Sequence, residues 1–301
     1  MLNFVYDGNK AILISKVLTS EIPNYKVGTV NWRGTNFVVN LITTKPFNTN
    51  NDKKKINSLF PLLKSNLQKQ IRRQEIAAVA TCELMLELND FECLRRLSVI
   101  AAEDVEISKE TSVIVWLMAA CSKNYILSVS DKYFILMYVV NLVNHPACKR
   151  LTISEEYNIN TYETNIYEII NSNHPDKEYL AGIIFRTSYG GLAGDIPMLI
   201  NLCGYAFSHS LISFSNVKIK ETKLEFNDAA VDFHIYPSLC SLISQDTNIN
   251  EETIKEIIWN CSSKINTRFL TVENSNIWTL IKKSFDIHTK EYLYKIVRQY
   301  F

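Results

Sequence analysis

A mainly α-helical fold, a helical bundle with a short N-terminal β element and a second helical region, is predicted by three features of the sequence. No glycine occurs between Gly34 and Gly182, so this long stretch lacks the residue that most often punctuates a helix. Within it Leu59, Leu63, Leu67 and Ile71 recur every four residues, which puts them on one helix face. Ahead of it, residues 11–18, 27–32 and 37–43 are short runs of aliphatic, β-branched and aromatic side chains, the composition of strands.

The elements follow in order. Residues 1–48 are expected to form a small antiparallel sheet, with residues 31–36 turning between the last two strands. The polar, basic run Asn50, Asn51, Asp52, Lys53, Lys54 and Lys55 reads as a linker, with a basic contact loop as the alternative. Residues 57–150 are predicted to form a bundle of five helices. The first carries the Leu59–Ile71 stripe. A second face is made by Ile76, Ala80, Leu84 and Leu88, and Asp90 is placed to cap a further helix through Leu94, Leu97 and Ala101. Ser108 starts a helix whose residues 113–121 are apolar all round, as in a helix enclosed by others. Ser130 and Asp131 start the last, and His145-Pro146 ends it. Residues 151–301 form the second helical region, with helices expected near 162–171, 176–187, 197–207, 236–244, 251–262, 277–285 and 290–300, and a strand or hairpin over 211–226.

Composition limits the functional classes. With 301 residues and 47% hydrophobic content the chain can bury a substantial core. Its 32 basic and 31 acidic residues leave a net charge of +1, so any binding to nucleic acid must use a local patch. The seven cysteines are scattered and odd in number, which fits reduced thiols and an intracellular protein, in cytoplasm or nucleus. The N-terminus has no secretory leader pattern. The longest apolar run, residues 133–143, is about half of a bilayer span, so neither secretion nor membrane association is expected. No P-loop, Cys-x-x-Cys, His-Glu-x-x-His or Gly-x-Ser-x-Gly is present, and the sequence asks for no metal and no cofactor.

One resemblance stands out. Residues 67–80, LQKQIRRQEIAAVA, and residues 93–105, CLRRLSVIAAEDV, resemble the C-terminal helical part of the MgsA/RarA and Werner-helicase-interacting family. In that family an AAA+ ATPase precedes an α-helical oligomerisation domain, and the proteins act at stalled replication forks. The matching features are a helix with the Arg72-Arg73 step, a second with Arg95-Arg96, and the turn Ala101-Ala102-Glu103-Asp104-Val105. The P-loop is missing, and the roughly 65 residues ahead of the match fall short of an ATPase domain. The resemblance therefore implies an oligomerising or scaffold-like piece of replication or repair machinery without ATP hydrolysis. The expected partners are a second copy, replication or repair proteins and DNA.

Four constellations are candidates for function. Arg72, Arg73, Arg95 and Arg96 can make a phosphate-binding patch, or pair with the nearby Glu75, Glu92, Glu103 and Asp104. In the C-terminal helices Lys282, Lys283, Lys290, Lys295 and Arg298 lie among Trp278, Tyr292, Tyr294 and Tyr300, an interleaving that suits nucleic acid or simply a solvated face over a core. The segment Gly190, Gly191, Gly194 and Asp195 leads into a helix and can offer amides to an anion, or be a tight turn with Asp195 as cap. With Arg186 or His234 it makes the enzyme or phosphate-ligand alternative. His234, between Asp232 and Cys240, is otherwise a buried, hydrogen-bonded histidine. A structural or assembly protein of a virus or large complex is the remaining alternative, and it expects a broad apolar surface for a partner.

Overall fold

The computed structural model describes residues 2–15, 24–32, 35–45, 59–146, 166–191, 194–206, 209–231, 238–263 and 271–300. The fold is mainly α with a short N-terminal β element, as the glycine spacing and the four-residue apolar period predict. No helix among the described residues is long and apolar enough to cross a membrane. The chain divides into two compact units that interleave in sequence. One comprises residues 1–55 and 86–220, the other residues 56–85 and 221–301. The boundary falls inside a helix, so residues 57–150 do not form one unit as expected.

The first unit is built on a four-stranded sheet, β1 (Leu2–Tyr6), β2 (Ala11–Ile14), β3 (Asn24–Trp32) and β4 (Thr35–Thr43), in the order β2-β1-β4-β3. The hairpin β3–β4 is antiparallel as predicted, with Asn31 opposite Asn36. The sheet as a whole is mixed, because β1 runs parallel to β4. The reason lies in the composition of β1. Leu2, Asn3, Phe4 and Tyr6 are all buried, and a strand covered on both faces gives a continuous apolar run of the kind parallel pairs favour. Its one buried amide is satisfied in register: Asn3 lies opposite Asn40, whose side-chain NH2 donates to the Asn3 side-chain oxygen at 3.0 Å.

Four helices follow the sheet: α1 (Phe60–Arg72), α2 (Ala78–Asp104), α3 (Lys109–Cys121) and α4 (Val129–Asn144). Helix α3 is the apolar centre of the first unit and is buried from Thr111 to Cys121. Two polar groups aim it at the sheet: Ser112 Oγ donates to the Ala11 carbonyl at 2.7 Å and Trp116 Nε1 to the Phe4 carbonyl at 2.8 Å. Next come α5 (Ile166–Asn171), α6 (Lys177–Phe185) and α7 (Asp195–Ala206). Helix α6 approaches α3 so closely that a Cβ on Gly182 would meet Ser112 Oγ at 2.3 Å. Only glycine fits there, despite its helix-propensity cost of about 1 kcal/mol.

Helix α2 is broken at Asn89, whose backbone is non-helical (φ −160°, ψ 94°). Asn89 Oδ1 accepts from the Glu92 amide at 3.0 Å, so the cap predicted at Asp90 sits one residue earlier. The predicted stripe Ile76, Ala80, Leu84 and Leu88 is not the core face: Ile76 is exposed, and Ala78, Cys82, Met85 and Leu86 are buried instead. Helix α4 likewise starts earlier than predicted, with Ser128 as N-cap and Asp131 at the third position of a capping box.

The second unit holds α1, the start of α2, α8 (Ser238–Thr247), α9 (Glu251–Ile258) and α10 (Val272–Tyr300). A buried amide network ties residues 225–227 to α1. Asn66 and Gln70 both donate to the Glu225 carbonyl at 2.8 Å, and Asn66 Oδ1 accepts from the Asn227 amide. Helix α9 runs into a wider turn at Trp259–Ser263. The two helices predicted over 277–285 and 290–300 are one, because no Gly or Pro interrupts α10. Its central polar residues have partners on α8: Ser284 Oγ donates to Asp246 at 2.6 Å, and His288 Nε2 lies 2.9 Å from the same carboxylate. Residues 211–226 form no ladder among the described residues beyond one bridge, Ser108 with Ile212.

Candidate functional site

The predicted arginines fall in different units. Arg72 and Arg73 belong to the second unit, Arg95 and Arg96 to the first. Arg95 Nη1 donates to Glu92 at 3.1 Å, and Arg96 lies 3.9 Å from Glu103. Arg73 donates to the Ser262 carbonyl, and burial with the neighbouring charge of Arg72 pushes its guanidinium down. These contacts are the internal pairing that competes with a phosphate patch.

The glycine loop is built as a turn. Gly190 adopts φ +67°, a left-handed conformation that favours glycine. A Cβ on Gly191 would come within 2.6 Å of Asp195 Oδ2, whereas Gly194 faces open space. Asp195 is buried at the first position of α7. Beneath the loop Arg186, 1% exposed, donates to the Gly190 carbonyl at 2.6 Å, to the Arg95 carbonyl and to Ser98 Oγ at 3.1 Å. Burial and the repulsion of Arg95 push its guanidinium down to about 10. Arg186 therefore serves as a buried tie between two backbone segments, a use of its fork geometry that needs no ligand. His234, together with Asp232, lies outside the described residues.

The densest polar cluster surrounds a residue that the sequence offered only as a helix start. The Asp131 side chain is fully buried and collects Tyr6 OH at 2.8 Å, Tyr125 OH at 2.9 Å, Lys45 Nζ at 2.9 Å, and Ser128 through both hydroxyl and amide. Burial raises its carboxyl, but the hydrogen bonds of Ser128, Lys45 and Tyr6 outweigh that and hold it below the usual range. Lys45 lies over the Tyr6 ring at 5.1 Å, and that ring rests on Trp116 at 4.7 Å. A carboxylate with every lone pair engaged and a lysine committed to it is arranged to hold β1, the end of β4 and α4 together. A second tie has the same form: Lys109 Nζ to Asp176 at 2.9 Å, with Asp176 also accepting the Leu211 amide.

The surface that carries chemistry outward is α10. Its inner face, Ile281, Ser284, Phe285 and Thr289, is buried. Its outer face keeps large apolar groups in solvent: Leu280 is 67% exposed, Ile287 45% and Tyr294 56%. Lys283, Lys290, Lys295 and Arg298 are exposed beside them. Lys282 is engaged with Asp286 at 2.8 Å, and the Arg298 guanidinium lies 4.3 Å from the centre of the Tyr294 ring. The predicted interleaving of basic and aromatic residues is thus partly present: Tyr294 is exposed, while Trp278 and Tyr292 are half-buried. The exposed Leu280 and Ile287 carry a signal in their spacing, with Ile287 seven residues from both Leu280 and Tyr294.

Compared with family models, curated proteins and solved structures, the chain matches none.

Proposed function

We propose that the chain is a non-enzymatic accessory or scaffold of DNA replication or repair, one that acts by holding macromolecules. The observation that carries the reading is the outer face of α10, where three large apolar side chains stay in solvent on a 29-residue helix. Exposed apolar groups that line up are an unmet packing demand, and such surfaces belong to partners. Self-association and the setting at the replication fork come from the resemblance over residues 67–105. The exposed Lys295, which stands outside the row of Leu280, Ile287 and Tyr294, supplies a cation for a DNA contact, whereas the guanidinium groups of Arg73, Arg95 and Arg96 already have internal partners.

Titration of labelled duplex and single-stranded oligonucleotides at several salt concentrations, on the whole chain, tests the reading. Affinity that falls steeply with salt is expected, since each phosphate contact releases a counterion. A monomeric chain with no salt-dependent DNA affinity overturns it.

A further inference from the structure

We infer that the outer face of α10 is the docking site for an acidic amphipathic helix of a partner protein. The inference deepens the partner-binding reading and rests on it. Leu280, Ile287 and Tyr294 recur at seven-residue intervals, close to two helical turns. Lys283, Lys290 and Arg298 alternate with them along the same side and are exposed. The row therefore reads apolar, cation, apolar, cation, apolar, cation over about 27 Å. Of the acids near it, Asp286 pairs with Lys282 at 2.8 Å, and Glu291, 63% exposed and 3.9 Å from the His288 ring, is outnumbered by the three exposed cations.

Other occupants use only half of this pattern. A second copy related by a two-fold axis would set a predominantly basic row against itself, a repulsive arrangement. Single-stranded nucleic acid binds by charge plus stacking on aromatic faces. Tyr294 is the one aromatic of the row and already has Arg298 on its ring, and Leu280 and Ile287 offer nothing to phosphate. A membrane surface needs a broad apolar face, and the broad face of α10 is buried through Ile281 and Phe285. A partner helix with apolar residues every seven positions and Glu or Asp beside them uses both features. Two seven-residue repeats pack along one seam, and flanking charges of opposite sign set the choice of partner.

The test uses the full chain and two labelled synthetic amphipathic helices of one apolar pattern, one flanked by Glu and the other by Lys. Fluorescence anisotropy is expected to show micromolar binding of the acidic peptide and at least about tenfold weaker binding of the basic one. Raising NaCl about tenfold from about 50 mM should weaken the acidic peptide several-fold. The double variant Leu280→Ser with Ile287→Ser should lose at least about tenfold in affinity while its urea midpoint stays that of the parent. Equal binding of the two peptides, no binding of either, or displacement of the acidic peptide by oligothymidine or by anionic phosphatidylserine vesicles overturns the inference. If the acidic peptide fails while the chain still associates or binds DNA, the docking inference falls and the scaffold reading stands; if those fail too, both fall.

Discussion

Tyr6 donates its hydroxyl to Asp131 at 2.8 Å across 125 positions of sequence, closing the N-terminal strand onto the start of α4. Replacing that carboxylate by an amide removes the charge that Lys45 faces and one of the two acceptor oxygens, so that either Tyr125 or the pair Tyr6 and Lys45 loses its acceptor there. Asp131→Asn is therefore expected to cost about 3 kcal/mol, the range for breaking a buried charge network, read from urea unfolding. An unchanged midpoint would show that the cluster is not a tie.

The same carboxylate sets an acid limit. Its folded pKa lies below the unfolded value of about 3.9, so its stabilisation is complete above that value and disappears as pH falls through the folded one. The parent should lose stability in acid more steeply than Asp131→Asn, whose curve lacks this contribution. Parallel acid slopes in the two proteins would contradict the assignment.

Gly182 and Ser112 set the closest approach in the first unit. Gly182→Ala is expected to destabilise by about 2 kcal/mol through overpacking. Because the incoming methyl meets Ser112 Oγ at 2.3 Å, adding Ser112→Ala should recover part of the loss, giving a non-additive double-mutant cycle. Strict additivity would place the strain elsewhere.

Arg186→Lys keeps the charge and loses the fork that reaches the Gly190 and Arg95 carbonyls. A loss of about 2 kcal/mol is expected, since buried acceptors are left unpaired. Faster hydrogen exchange at residues 188–191 should accompany it. A variant with parental stability would mean that the guanidinium is free for another task.

On α10 the two faces should respond oppositely. Phe285→Ala removes a buried ring and is expected to cost about 3–4 kcal/mol. Leu280→Ser, at a position 67% exposed, should stay within about 0.5 kcal/mol of the parent. Thermal unfolding of the two variants distinguishes a functional surface from a core position.

What the sequence made legible depended on how local the cause was. The Leu59–Ile71 stripe, the all-round apolar α3 and the Ser108 start follow from neighbours within one or two turns. The parallel pairing of β1 with β4 did not, because it rests on Asn3 meeting Asn40 and on burial of both faces. Helix α10 looked broken at residues 286–289 since Asp246, the partner of His288, lies 42 positions away. The site followed the same rule. The lysines of α10 were visible as a basic run, whereas Arg186 became a structural tie only once Ser98, Arg95 and Gly190 were placed around it.

The central claim is that this chain works by association. Light scattering on the whole protein across a range of concentrations tests it most directly. A mass above the 34.6 kDa of one chain is expected, rising with concentration and retained in Leu280→Ser, since the outer face of α10 is assigned to a different partner. A mass of one chain at every concentration, with and without added oligonucleotide, would contradict it.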